Sequence, residues 1–325
     1  MRFTVGITAL AGMMLVIALV AFEGFAVVMQ VLASVRWGIL VVALIHLCSM
    51  LVCALAWGEL MPATWRHPLP GLFVLRWIRE GVNSLLPVAQ VGGVFVQARL
   101  LTFRGVAADR AGASIVVDLT MEVMTLFVFS LAGLGLLVAS SRAKSTASLA
   151  LGLAVGFPAI IGFVAAQRFG MIGLLVRLAE RLARRSGWRS PGAMMALDDE
   201  IQALYGNRRG LASAAALHFV SWLMSAAEIW VLLRFMALPA GPREAVIIAS
   251  LGYAVRAAGF LVPGAFGVQE GGFMLLGTLV GVPAHLGLAL SLAPRIREIL
   301  LGLPALLTWQ LLEGRRLWRT RGQVG

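Results

Sequence analysis

Apolar residues run along this chain in long windows, at about 4–32, 38–60, 112–140, 149–167, 211–238 and 286–312. As helices, windows of this length reach across the roughly 30 Å hydrocarbon core of a bilayer. Two further regions, about 71–103 and 244–281, are apolar but interrupted. The first breaks at "SLLPVAQVGGVF", with Pro87 followed by Gly92 and Gly93. The second breaks at "FLVPGAFGVQEGGF", with Pro263 followed by Gly264, Gly267 and Gly271. Proline removes a backbone donor and glycine admits tight turns, so each region predicts two short arms rather than one crossing. The pattern predicts an all-α polytopic integral membrane protein with about six full crossings and two re-entrant or broken hairpins.

The two broken regions align with each other. Pro87 and Pro263 lie 176 residues apart, and the same offset pairs Gly105-Val106 with Gly281-Val282 and Glu122 with Glu298. Upstream, "ALIHLCSML" matches "ALHFVSWLM", pairing His46 with His218 and Ser49 with Ser221. Four matches in one order predict a duplication, with repeats at about 1–141 and 147–313 inside a single membrane domain spanning 1–325.

Charge predicts the orientation of the repeats. Residues 168–209 hold eight Arg, and the tail after Glu313 holds Arg315, Arg316, Arg319 and Arg321, which places both segments in the cytoplasm. Both termini then come out cytoplasmic, with Arg66, Arg76, Arg79, Arg99, Arg104 and Arg110 on the inner side. Arg142 and Lys144 fall outside, against the rule. Each half has three crossings, an odd number, so the second is inverted relative to the first. Inverted repeats whose broken segments meet near the midplane are a transporter architecture.

Composition narrows the class further. The chain has 325 residues, is 60% hydrophobic and 13% charged, and carries a formal net charge of +12. Its mean hydropathy is +0.91. The basic residues cluster in short loops, which points to the positive-inside rule and anionic headgroups rather than to nucleic acid; the expected location is the inner membrane of a bacterium. The segment about 168–210 is basic, and within it Arg177, Arg181, Arg184 and Arg185 oppose an apolar face. An interfacial helix lying on anionic phospholipid is expected there. Cys48 and Cys53, five apart, fall on different helix faces and read as core thiols.

Charges inside apolar windows mark the candidate site, since each costs about 2.5–3.5 kcal/mol at a helix centre and needs a partner or water. Asp118 and Glu122 share one helix face, Glu298 follows Arg295 and Arg297, and Arg256 leads to the second break, where Gln269 and Glu270 add polarity. In the first break Asn83 and Gln90 are placed to bond freed backbone. Glu23, Glu228 and Arg234 are further candidates. Two readings stay open: the arginines receive an anionic headgroup while the acids balance it, or acids and arginines pair internally. His46 and His218 are expected to form a hydrogen-bonded packing pair rather than a metal site. No catalytic signature, metal set or cofactor motif occurs in the sequence.

At these same residues a resemblance emerges. "NSLLPVAQVGG" with "ARLL", "VVDLTMEV", "LVPGAFGVQEGG" and "SLAPRIREILLGLPALLTWQ" resemble the transmembrane module of the lysylphosphatidylglycerol synthases, and within it the hopanoid-associated HpnL-type proteins. The likeness maps the family's motif onto Pro87, Gly92, Gly93, Pro263, Gly264, Gly267, Glu270 and Gly271. It implies movement of a lipid between leaflets, hopanoid-related or anionic phospholipid. With no transferase domain before Gly325, it implies transport rather than aminoacylation. The implied partners are membrane lipids and other membrane proteins of lipid biosynthesis. The alternatives are a non-transporting scaffold for hopanoid or envelope-lipid synthesis and, last, a membrane-embedded lipid-modifying enzyme.

Overall fold

A computed structural model describes residues 14, 29–30, 33–65, 67–86, 92–139, 191–238, 240–259, 262 and 265–321. No strand occurs among them. The helices are α1 (Gly38–Leu60), α2 (Leu69–Leu85), α3 (Gly92–Thr102), α4 (Ala108–Val138), α5 (Pro191–Gly206), α6 (Arg208–Phe235), α7 (Pro242–Ala258), α8 (Val268–Leu279) and α9 (Ala284–Arg321). The windows at about 4–32 and 149–167 lie outside the described residues, apart from a few positions of the first.

Three described helices, α1, α4 and α6, are long and apolar enough to cross a membrane. The fourth expected crossing there, 286–312, is instead part of α9. That helix runs for 38 residues but carries Arg295, Arg297 and Glu298 within its apolar run, and Pro294 and Pro304 inside it. By length and composition, then, three of the four expected crossings in the described residues qualify as spans.

Helices α1 and α6 lie antiparallel along their whole length. Gly38 at the start of α1 meets the Phe235 ring at the end of α6, and Gly210 at the start of α6 meets Glu59 at the end of α1. The aligned serines touch: the Ser49 hydroxyl donates to the Ser221 carbonyl at 3.4 Å.

Each broken region is a pair of antiparallel arms. In the first, the start of α2 at Gly71 lies against Arg104 beyond the end of α3, and Gly93 lies against the Arg79 backbone and the Asn83 side chain. In the second, Gly272 of α8 faces Val255 of α7, and Gly252 of α7 faces the Phe273 ring. A glycine at each contact lets the arms close where a methyl group would collide.

The aligned Gly-Val pairs end their hairpins in the same way. Gly105 (φ +88°) and Gly281 (φ +86°) are both left-handed. Gly105 N–H donates to Thr102 O, and Gly281 N–H to Thr278 O. Each threonine hydroxyl caps the carbonyl three residues earlier. Val106 and Val282 are buried just beyond.

Two large apolar cores result. One gathers Val42, Phe129, Ile229, Leu232, Ile248, Phe273, Leu276 and Leu290. The other gathers Trp57, Leu72, Leu75, Ile78, Leu101 and Ile115, with Leu306, Trp309 and Leu312 packed on it. Helix α1 contributes Val42 to the first and Ala54 and Trp57 to the second, with His46 between them. On α4, Asp118 and Glu122 separate Ile115 from Leu126; on α9, Arg295, Arg297 and Glu298 separate Ala293 from Leu306. The buried charges thus form a layer between the cores.

Candidate functional site

The charged layer resolves into two networks. In the first, α2 supplies Arg76 and Arg79 and α4 supplies Asp118 and Glu122. Arg76 donates to Asp118 Oδ2 at 3.1 Å and to Glu122 Oε1 at 2.6 Å. Arg79 donates to Glu122 Oε2 at 3.0 Å and lies 3.5 Å from Asp118 Oδ2. His218 of α6 completes it, with Nε2 2.9 Å from Asp118 Oδ1. Two spacings give this geometry. Arg76 and Arg79 are one helical turn apart on α2, Asp118 and Glu122 one turn apart on α4, and the two faces meet.

In the second network α7, α8 and α9 converge with α1 and α6. Arg256 donates to Glu298 Oε1 at 2.7 Å and to Gln269 Oε1 at 2.9 Å. Arg295 donates to Glu270 Oε1 at 3.0 Å and to Glu298 Oε2 at 3.1 Å. Arg297 donates to Glu228 Oε2, and Glu228 Oε1 lies 3.0 Å from His46 Nδ1. The two networks share a motif. An arginine from the first arm of a broken region meets the acid at the aligned positions Glu122 and Glu298.

Glu270 does a second job. Gly267 (φ +78°) and Ala265 (φ +51°) turn the chain through the left-handed region just before α8. Glu270 Oε2 accepts the Gly267 N–H at 2.7 Å, while its other oxygen takes Arg295. The Arg295 guanidinium also sits 4.5 Å from the centre of the Phe266 ring. Glu270 therefore fastens the break to α9. In the first break Asn83 Oδ1 accepts the Gly93 N–H at 2.8 Å and fastens α3 to α2.

The structure brings together Asp118 and Glu122 in one network and Arg256, Gln269, Glu270, Arg295, Arg297 and Glu298 in the other. Asn83, Gly92, Gly93, Gly267 and Gly271 sit in or beside the breaks. Pro87, Gln90, Pro263 and Gly264 lie outside the described residues, as do Arg177, Arg181, Arg184 and Arg185.

Three sequence expectations need correction. Arg76 and Arg79, assigned to the cytoplasmic edge, are 3% and 6% exposed and hold the first network. They sit in a helix whose apolar positions alternate with charge, which reads as an interface when its partner helix is unknown. His46 and His218 do not bond each other, because each faces an acid on a different helix. The repeat offset that pairs them marks equivalent positions, not contact. Cys48 is exposed, unlike the buried Cys53, because the apolar outer face of α1 turns it away from the cores.

Several polar atoms in this layer have no hydrogen-bond partner among the described residues: Arg76 Nε, Arg79 Nε and Nη1, His218 Nδ1, Arg297 Nε and both amide atoms of Gln97. Gln97 is fully buried on α3, one turn beyond the Gly93 that packs against Arg79. Buried donors without acceptors are costly, so an acceptor brought to them would be bound favourably.

A family model described as the lysylphosphatidylglycerol synthase TM region matches residues 4–305. No curated protein and no solved structure matches the chain. With nearly its whole length covered, this membrane protein belongs to the lysylphosphatidylglycerol synthase transmembrane-region family, a family related to lipid handling.

Proposed function

We propose that the protein translocates a lipid across the bacterial inner membrane, with both termini cytoplasmic. Its two inverted repeats form a polar path for the headgroup while the tails stay in lipid. The observation that carries this reading is the set of buried donors without hydrogen-bond partners around Arg76, Arg79 and Gln97, inside a charged layer framed by two broken helix pairs. Guanidinium N–H groups without acceptors suit the phosphate oxygens of an anionic headgroup, phospholipid or hopanoid-linked. Backbone that leaves the helix at membrane depth is tolerated where it is buried or faces such a path.

The test is lipid identification on gently purified protein, followed by a leaflet-transfer assay in vesicles made of the enriched lipid. Arg79→Gln is the informative variant, because Arg76 still holds both Asp118 and Glu122. One anionic lipid class should be enriched over bulk membrane and lost in Arg79→Gln, with transfer falling when both proteins are assayed well below the variant's lowered unfolding temperature. If wild type and variant both carry bulk lipid and neither moves it, the protein is not a translocase, and a scaffold for lipid-synthesising enzymes takes its place.

A further inference from the structure

Helix α9 passes through both apolar cores, and its two internal prolines stand at the borders of the charged layer between them. Ala289, Leu290 and Ala293 belong to the first core. Leu306, Trp309 and Leu312 pack on the second. Pro294 follows Ala293 directly, and Pro304 lies just before Ala305 and Leu306. The stretch 295–303 between the prolines therefore crosses the charged layer, and it carries Arg295, Arg297 and Glu298.

Each proline takes one bond out of the helix ladder. With no N–H, Pro294 leaves the Leu290 carbonyl without its usual donor, and Pro304 does the same to Leu300. Sharp helix bends arise at such positions. In both places the next carbonyl along is held from outside the helix. Gln269 Nε2 of α8 donates to Ser291 O at 3.3 Å, and Trp77 Nε1 of α2 donates to Leu301 O at 2.9 Å. One donor thus comes from each broken region. Thr308 Oγ1 donates back to Pro304 O at 2.8 Å, a bond of the kind that bends helices.

The two ends of α9 are anchored. Near its start Gly287 lies on the α8 backbone, where a β-carbon would come within 3.0 Å of Phe273 O. At the far end Glu313 is held by Arg99. Between the prolines the contacts are of a different kind. The outward residues Ile296, Ile299 and Leu303 are exposed. On the inward side Gly302 meets Gly81 of α2, and neither has a side chain to interlock. The charges of this stretch reach Glu270, Glu228 and Arg256 through arginine side chains. Such long stems can follow a helix shift of about 1–2 Å without letting go. The Trp77 indole, with two side-chain torsions, cannot follow as far.

We propose that residues 295–303 are a rocker, a helical piece that tilts about Pro294 and Pro304, and that Gln269 and Trp77 are the catches holding it in the position the structure shows. Because one catch belongs to each broken region, displacing either arm releases one end of the rocker, which couples the two breaks. The proposal rests on the translocation reading only for its use, which is to move Arg295, Arg297 and Glu298 together.

The experiment is fluorine NMR on the full chain in lipid nanodiscs, with Cys48 and Cys53 replaced by Ser and a trifluoromethyl label on Leu303→Cys or Leu311→Cys. Both positions are exposed, the first between the prolines and the second beyond them. The label at 303 should report two positions of the rocker, and the label at 311 a single one. Trp77→Phe keeps a ring in place but removes the donor. It should raise the minor-to-major ratio at 303 by about 2- to 12-fold, the contribution of one hydrogen bond, and leave 311 unchanged. Pro304→Ala returns a donor to Leu300 O and should lower the same ratio. The proposal is overturned if the label at 303 reports one position in the parent chain and in both variants. It is equally overturned if the two labels respond alike, since α9 then moves as one rod. The label reads the helix whether or not lipid moves, so two positions in a protein that fails the transfer assay count against the translocation reading alone.

Discussion

At the scale of the residue, the arginines of this protein are interior groups, and their value lies in the acids they hold. Arg297 is 2% exposed and bound to Glu228, which is 1% exposed and also takes His46. Removing one member of such a pair leaves the other buried without its counter-charge, which costs about 3–5 kcal/mol, whereas removing both charges costs far less. Glu228→Gln should therefore unfold at clearly lower temperature in detergent, and Glu228→Gln/Arg297→Gln should recover much of the loss. Strictly additive losses would mean that the two charges do not interact. Glu270 falls under the same argument with an added backbone role. Replacing it disturbs the turn at Gly267 as well as Arg295, so lost transport in a Glu270 variant would not by itself identify a lipid contact.

At the scale of the element, matched ends say more than matched strings. The Thr-x-x-Gly-Val ends of α3 and α8 adopt one conformation, with glycine in the left-handed region at the same step. A β-carbon at Gly105 would meet nothing within 4 Å, so its substitution isolates the backbone cost. Gly105→Ala should lower stability by about 1–2 kcal/mol, the cost of the left-handed region for an L-residue. Gly135 in α4 also has open space around it but is helical, so Gly135→Ala should be neutral or stabilising. Equal effects in a thermal-unfolding comparison would refute the assignment of the Gly105 cost to backbone. The breaks were legible in the sequence because proline and glycine punctuate an apolar run. The acids Asp118, Glu122 and Glu298 were legible because charge inside such a run is conspicuous. Their partners Arg76 and Arg79 were not, since a short amphipathic helix after Pro68 has the pattern of a surface element until α4 covers it.

At the scale of the whole molecule, the antiparallel helices define two ends. The loop after α1, the start of α4 and helix α5 gather at one end, where Gly112 meets Leu197 and Arg110 donates to Glu200 at 3.0 Å. Gly210 sits there against Glu59, and Arg99 holds Glu313 of α9. At the other end Trp37 packs on Phe235, and Arg243 donates to Leu136 O. Arg99, Arg104, Arg110, Arg208 and Arg209 belong to the first end and Arg36, Arg234 and Arg243 to the second, a bias that favours the first as cytoplasmic. Cysteines introduced at Thr64 and Asn207, in a chain with Cys48 and Cys53 replaced by Ser, should react with a membrane-impermeant maleimide from one side. A cysteine at Ala237 should react from the other. Intact spheroplasts, whose outer face is the one exposed, should label Ala237→Cys alone, and inside-out vesicles the other two. Labelling of Thr64→Cys and Asn207→Cys from opposite sides would break the antiparallel pairing of α1 and α6. Labelling of both from outside would keep the fold and reverse its orientation, and the lipid path would then have to be read in the opposite sense.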